Sequence, residues 1–574
     1  MKKINILLGA LAIVCGMSSC SKALDVKNPN NQTTYDFGAT ESDLKEALVA
    51  CYNRIRLEGT FARVGYTMDA VRGDEVWNAS QIWYLPYDNL NVANTDEIGC
   101  QWIWRDCFHV VNRCNFIITK IDNAKVSEKA YNEIKGQALF LRGLAYYELA
   151  TYYQSVPIFN DYNQYSSLET MFAPNQSQDA VLDQAESDFQ EALAMLPSRD
   201  AGGEFAKGRA TNGAAAGYLA RTYMFRHKYA DALVLLKDII NGKYGHYELM
   251  ADFGANFMEG SQYENNAESL FEVQFMDHDQ QGPDEEWTPV NISSNASQGH
   301  AVESNYGPSE YGSWGDLAAA DWLYELFKSE RCTDGKLDPR LYWTLSTYEA
   351  EYDSYTGTKT AAYPAGDPRK NELYCNAITA TPVSNPTNGG IPVAKFTNAR
   401  LGISDKIVTG LHCGINLRMM RYSDVLLRAA ECENELNGPT ADAINWINQV
   451  RKRAALSELK LSDFPTADAL FEQIANVERP KEFGCENGRG IDLIRWGFFY
   501  SQDRLNQIIA HSSFNAAGSS DSSISYYKPG HEYFPIFQGT LDANPSLTGN
   551  SANDNHDNAE EFFAAGYKVR PVVK

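Results

Sequence analysis

Two blocks of helical periodicity, separated by a long stretch with almost none, limit what this chain can fold into more than any other feature. Apolar residues recur at three- and four-residue spacing near 41–57, 101–123, 128–154, 178–196, 209–226 and 228–241. That spacing gathers them on one helix face. From about 250 to 415 the chain turns to Gly, Asn, Ser, Tyr and Pro, keeping only short helical patches such as 315–328. Periodicity returns at 417–437, 440–454, 466–486 and 489–508. Residues 510–574 read as Asn-rich loop with short extended pieces, such as Tyr533 to Phe537.

Several of these helices pair with a common spacing. In 216–241, Leu219, Ala220, Tyr223, Tyr229, Ala232, Leu236 and Ile239 fall where a tetratricopeptide unit places its small and large residues. Ala185, Phe189, Ala192 and Pro197 fit the second helix of such a unit. Leu427, Ala430, Ala443, Ile447 and Val450 form a looser copy with one extra residue in the turn. Small residues let paired helices approach, and stacked pairs bury a continuous core. The alternative is a set of amphipathic helices that share the spacing by chance. The expected fold is all-α: a tetratricopeptide-like helical-pair scaffold with large irregular loop insertions.

The N-terminus addresses location. Lys2 and Lys3 precede an apolar run from Ile4 to Cys15, then Gly16, Met17, Ser18, Ser19 and Cys20. This is the order of a secretory signal. The run of about 12 residues is too short for a bilayer that needs ~20. Small residues before Cys20 resemble a bacterial lipobox, although Met17 stands where Leu is usual. Cleavage there leaves Cys20 as a lipidated N-terminus; the bland alternative is an ordinary secreted protein with an incidental cysteine. The expected parts are a signal peptide at 1–19, a lipidated tether at 20–40, a helical region at 41–250, an irregular insertion with candidate ligand loops at 251–415, and a second helical region at 416–574.

Charge and cysteines exclude several classes. The net charge of -24 repels phosphate backbones, so nucleic acid is not an expected partner. Of 11 cysteines, Cys15 leaves with the signal and Cys20 takes lipid, leaving an odd number. Cys100, Cys107 and Cys114 are seven apart on one helix face, each step ~10.5 Å along the axis, too far for a bridge. They read as small buried apolar residues. No CxxC pair suggests zinc or redox chemistry.

Five motifs follow one another along the chain. The first is Gln137-Ala138-Leu139-Phe140-Leu141-Arg142-Gly143-Leu144-Ala145-Tyr146-Tyr147, continuing through Tyr152-Tyr153 to Val156-Pro157. The second is Gly208-Arg209-Ala210-Thr211, with Ala214 to Tyr223. A third runs from Arg421-Tyr422-Ser423-Asp424-Val425-Leu426-Leu427 through Ala430-Glu431 to Ile447-Asn448-Gln449-Val450-Arg451. A fourth joins Glu478-Arg479, Glu482-Phe483, Gly488-Arg489, Asp492-Leu493 and Arg495-Trp496-Gly497. The last is Pro535-Ile536 with Asp542-Ala543-Asn544-Pro545. Asp424 stands where Glu is common, and Phe537 replaces a frequent Pro. In this order the motifs resemble the SusD/RagB family of outer-membrane nutrient-binding lipoproteins, and the resemblance implies a lipoprotein at the cell outer membrane, exposed on the surface. There it would act as a lid on a SusC-type TonB-dependent transporter and hand over oligosaccharides, or peptides in some members. It also implies that the protein is not an enzyme.

The residues themselves agree on catalysis. There is no HExxH, GxSxG, Walker A loop or GxGxxG. No cofactor and no metal is expected. Asp277, Asp279, Gln281 and Gly282 copy part of a calcium loop, but Thr288 stands where a bidentate Glu is needed. The charged motif Glu478, Arg479, Glu482, Glu486, Arg489, Asp492 and Arg495, with Arg421, is spaced for ion pairing on or between helices.

Aromatic residues outside the helices are the binding candidates. Trp77, Trp83, Tyr84 and Tyr87 lie among Asp69, Asp74, Asn78 and Asn89, and a second group, Trp287, Tyr306, Tyr311 and Trp314, lies in the insertion. A sugar presents an apolar C–H face and a hydroxyl rim; flat rings satisfy the first, and Asp or Asn the second. The expected platforms are Trp77 and Trp83, helped by Tyr84 and Trp314, with Asp69 and Asn78 as hydroxyl partners and Trp287 and Tyr311 as further contacts. The resemblance places relatives' glycan contacts in these two regions. The competing reading is that the rings pack loops onto the scaffold. A peptide ligand, or a pure protein-interaction surface, stays open. Trp102, Trp104, Trp322, Trp446 and Trp496 sit in helical patterns and read as core.

Overall fold

The computed structural model describes residues 37–79, 81–277, 299–307, 313–345, 391–397, 412–512 and 527–573. The first helical block yields α1 (Glu41–Arg54), α2 (Val64–Val71), α3 (Ile103–Ile121), α4 (Glu128–Tyr153), α5 (Gln178–Met195), α6 (Asn212–Phe225) and α7 (Tyr229–Ile240). The second yields α8 (Tyr422–Asn437), α9 (Ala441–Arg453), α10 (Ala467–Gln473), α11 (Arg479–Phe483), α12 (Arg489–Arg495) and α13 (Gln502–Ser512). Several long helices begin at a Ser or Thr whose side chain accepts an otherwise unpaired backbone N–H: Thr40, Ser127, Ser177, Thr211 and Thr440.

The helices stack in chain order. α3 packs on α1 and α4, α4 on α5, α5 on α6, α6 on α7, α7 on α8 and α8 on α9. The array therefore continues from α7 to α8 although the insertion separates them in sequence. Glycine permits the closest approach. A Cβ at Gly143 of α4 would stand 3.0 Å from the Phe189 ring of α5, and one at Gly217 of α6 would stand 2.7 Å from Met420 Sδ. The eight described cysteines are free and buried, Cys100, Cys107 and Cys114 among them. Of the tryptophans read as core, Trp104, Trp446 and Trp496 are buried, whereas Trp102 and Trp322 are half-buried.

Two small antiparallel pairs fix the insertion to this array. β1 (Val76–Asn78) pairs with β3 (Leu317–Ala319), setting Trp77 opposite Ala318. β2 (Ser269–Val273) pairs with β4 (Leu417–Arg421), setting Glu272 opposite Arg418 and Ser269 opposite Arg421. β4 corrects the expected helix start at 417. All five of its residues are buried, so no polar alternation marks it as a strand. The expected helix over 489–508 is likewise broken, at Gly497 in the left-handed region (φ 66°). The tail, read as loop, contains short helices at Gln538–Ala543, Ser551–Asp554 and Ala559–Ala564, too short to show a period.

Candidate functional site

The C-terminal charged motif is a buried latch. Arg421 donates to Glu268 at 2.7 Å, to Glu482 at 2.8 Å and to Glu486 at 2.7 Å. Asp492 accepts from Arg479 at 2.8 Å and from Arg495 at 2.7 Å, and Asp424 accepts from Arg428 and Arg479, each at 2.8 Å. Burial alone would raise the Asp492 and Asp424 carboxyls, but the arginines around them hold both well below the carboxylate range. Arg489, which the sequence groups with Asp492, pairs instead with Asp74, at 2.6 and 3.0 Å.

Asp74 brings the first candidate loop into this latch, and Asp69 does the same. The Asp69 carboxylate accepts from Arg72 at 2.9 Å, from the Gly488 N–H at 2.5 Å and from the Ile491 N–H at 3.0 Å. It is fully buried. The expectation that Asp69 meets sugar hydroxyls is therefore corrected: its oxygens tie α2 to the start of α12.

The same loop turns outward a few residues later. Leu85–Asp88 forms a single turn, and ahead of it Ile82 is 80% exposed while Trp83 is half-buried. Trp83 stacks on Tyr84 with ring centroids 3.8 Å apart. Tyr84 itself is fully buried, its hydroxyl bonded to Thr67 at 2.7 Å and accepting from Asn305 at 3.1 Å. Tyr84 is thus corrected from ligand platform to the support beneath Trp83. Asn78 is half-buried; its side-chain oxygen accepts the Gln81 N–H at 3.0 Å, and its own N–H donates to Asp88. Trp77 is half-buried on β1. Tyr87 and Tyr306 are buried in the core.

The β1–β3 pairing delivers the second candidate region to the first. The Ala79 N–H donates to Asp316 O at 2.8 Å, and the segment entering β3 carries Trp314, also half-buried. Arg63, just before α2, links the two regions. Its guanidinium carbon lies 4.7 Å from the Trp83 ring centre and 5.0 Å from that of Trp314. Glu58 accepts from it at 3.2 Å. Burial pushes the Glu58 carboxyl up to about 7, a rise that Arg63 only partly offsets. Sequence reasoning missed both Arg63 and Glu58. They lie just past the first helical pattern, in a stretch without a motif, and only the fold sets Arg63 against the two indoles. Trp287 and Tyr311 lie outside the described residues, as do Cys20 and all of the calcium-like stretch after Asp277.

The shelf formed by Tyr84, Trp83, Arg63 and Trp314 offers indole surface beside a guanidinium. That set suits a ring with an apolar face and a hydroxyl or carbonyl rim. Among the described residues no group of His, Cys, Asp and Glu could hold a metal ion. No helix among them is long and apolar enough to cross a membrane.

Comparison with known proteins adds relatives along nearly the whole chain. The family model described as the SusD family matches residues 267–553, half of the sequence. A second, described as starch-binding, associating with outer membrane, matches residues 22–224. A SusD-like protein, P25, of Formosa agariphila is 24% identical over 96% of this chain and 99% of its own. A SusD homolog from Bacteroides thetaiotaomicron superposes with a TM-score of 0.70 at 20% identity, over 90% of this chain and 98% of that one. Surface glycan-binding protein A from the same species, solved with laminarihexaose, superposes with a TM-score of 0.64 at 22% identity, over 89% and 99%.

Proposed function

The chain belongs to the SusD family, and on that footing we propose that it binds oligosaccharides at the outer membrane and performs no chemistry on them. The observation that carries this reading is the convergence of Trp83, Trp314 and Arg63 from two distant segments onto one shelf. A shelf of this kind binds a sugar ring by contact with its C–H face and by hydrogen bonds to its rim. The reading without chemistry is supported by Glu58, the carboxylate hydrogen-bonded to Arg63, being engaged by the shelf itself, whereas a glycosidase needs two carboxyl groups placed across the scissile bond. The laminarihexaose complex of a relative with the same fold supports a glycan as ligand. The second family description supports outer-membrane association. The Ser19-Cys20 junction supports a lipid anchor. We read the destination of the glycan as a SusC-type TonB-dependent transporter, which the family resemblance implies.

The test is calorimetry on the protein produced without residues 1–20, with laminarihexaose as the first probe and a glycan array to widen the search. Binding that is lost in both Trp83→Ala and Trp314→Ala supports the shelf. Binding that survives both substitutions, or a protein that takes peptides and no glycan, overturns the reading.

A further inference from the structure

A second concavity shares no lining residue with the aromatic shelf. It is a groove of about 310 Å³ between the exposed side of α1 and the turn before α6, lined by Val49, Tyr52, Arg56, Lys207, Arg209 and Gln274 among others. Its walls are built. Gly208 lies in the left-handed region (φ 90°), and a Cβ there would fall 2.2 Å from the Gln274 side chain, so only glycine lets the turn close onto that wall. Gln274 is held in place by hydrogen bonds: its side-chain oxygen accepts from the amides of Asn265 and Asn416, each at 2.9 Å. The Tyr52 hydroxyl donates to Gln137 and accepts the Ala210 N–H, each at 2.9 Å, and Arg209 lies 4.5 Å from the centre of its ring.

The charge of this groove runs against the rest of the molecule. The sequence has 74 acidic residues against 50 basic ones, yet three cations and no carboxylate line the groove among the described residues. Glu204, which pairs with Arg209 at 3.7 Å, lies outside the lining and is itself largely exposed. Burial depresses the Arg56 guanidinium, as expected of a cation drawn partly out of water. On a chain of net charge -24, three cations gathered on one wall supply the local counter-charge that an anionic group needs. Val49, 55% exposed, and the Tyr52 ring add apolar wall beside the cations.

We propose that this groove is a second saccharide subsite, selective for the anionic group, a carboxylate or a sulfate ester, of an acidic oligosaccharide. The saccharide part rests on the glycan-binding reading above, whereas the anion preference rests on the groove alone. Arg56 and Lys207 would hold the anionic oxygens, and Arg209 would flank the sugar from its place on Tyr52.

The experiment is calorimetry of the soluble protein with tetragalacturonate, a sulfated carrageenan tetrasaccharide and neutral maltotetraose, on wild type, Lys207→Gln, Arg56→Gln and Trp83→Ala. Lys207 is exposed, so Lys207→Gln keeps the fold, and melting curves check Arg56→Gln. At least one charged ligand should bind about tenfold more tightly than the neutral one, and should lose about tenfold in each of Lys207→Gln and Arg56→Gln. Its affinity should also fall as ionic strength rises from about 0.05 to about 0.5 M. The two charged arms tell carboxylate from sulfate. Equal affinity for charged and neutral ligands, no binding of either charged ligand, or charged binding unchanged in Lys207→Gln overturns the proposal. Charged binding abolished by Trp83→Ala would also overturn it, because the groove would then be no separate subsite. Charged binding that persists while neutral binding is absent even in wild type would sink the shelf and leave the groove standing.

Discussion

The latch around Asp492 and the shelf around Arg63 are built from the same residue types, yet they behave oppositely. Both join segments far apart in sequence, and both set arginines against carboxylates and aromatic rings. At the centre of the latch two buried carboxylates each meet two arginines: Asp492 has Arg479 and Arg495, and Asp424 has Arg428 and Arg479. Both carboxyls are held well below their ordinary range. On the shelf Arg63 is shared between Glu58 and two indoles, and the Glu58 carboxyl rises to about 7. What separates the two is the balance at the carboxylate: arginines outweigh burial at Asp492 and Asp424, whereas burial outweighs Arg63 at Glu58, and the Arg63 guanidinium lies over two half-buried rings.

The largest expected effect breaks the latch. Asp69 is the residue whose sequence context points to the wrong side of this comparison. Asp69→Ala removes the acceptor for Arg72 and for two backbone N–H groups of the α12 start. An arginine left buried without its partner costs about 3–5 kcal/mol. Chemical denaturation should show a loss of that order, and ligand affinity of the folded fraction should stay at the wild-type value. A variant of normal stability with lost affinity would move Asp69 to the shelf and dissolve the distinction.

The error over Asp69 shows where sequence reading stops. Long amphipathic helices are legible because their period depends on nearby residues: the expected 128–154 and 178–196 correspond to Glu128–Tyr153 and Gln178–Met195. Leu417–Arg421 reads as helix because burial on both faces erases the alternation that marks a strand. The C-terminal ion pairs are legible as a motif but not as partners, since Arg489 reaches Asp74 across 415 positions. Within the candidate loop, Asp69, Tyr84 and Trp83 look alike as sequence. Asp69 and Tyr84 are buried and accept hydrogen bonds from Gly488 and Asn305, distant residues that no local pattern can reveal. Arg63 has no signal at all until β1 and β3 bring Trp314 alongside Trp83.

A smaller effect probes the shelf. Replacing a true aromatic anchor by Ala typically costs ~2 kcal/mol of binding or more. Trp83→Ala and Trp314→Ala should each weaken glycan binding by about that much. Their effect on stability should fall below that of Asp69→Ala, because both indoles are only half-buried. Arg63→Lys sharpens the test. It keeps the charge but loses the planar fork that lies over both rings, so it should weaken binding while leaving the melting temperature nearly unchanged. If Arg63→Lys lowers stability as much as a latch variant and leaves affinity intact, Arg63 belongs with the structural arginines.

The last effect depends on pH and on Glu58. Burial raises this carboxyl to about 7, against 4.5 for an unperturbed Glu, with Asp106 adding to the rise and Arg63 and Arg105 opposing it. A folded-state value above the unfolded one means that the native protein holds the proton more tightly. The resulting stability is fully present below about pH 4.5 and is lost as pH climbs through 7. Glu58→Gln mimics the protonated form at every pH. It should match wild type near pH 4 and exceed it near pH 8 by up to about 3 kcal/mol, since the rise from 4.5 to about 7 is worth ~1.4 kcal/mol per tenfold difference in proton affinity between the folded and unfolded chain. Other raised carboxyls, such as Glu75 and Glu148, tilt both proteins alike, so the difference between the two denaturation curves isolates Glu58. A Glu58→Gln variant less stable than wild type at pH 8 would mean that Glu58 is ionised and firmly paired with Arg63. Arg63 would then outweigh burial as the latch arginines do, and would serve the fold rather than a ligand.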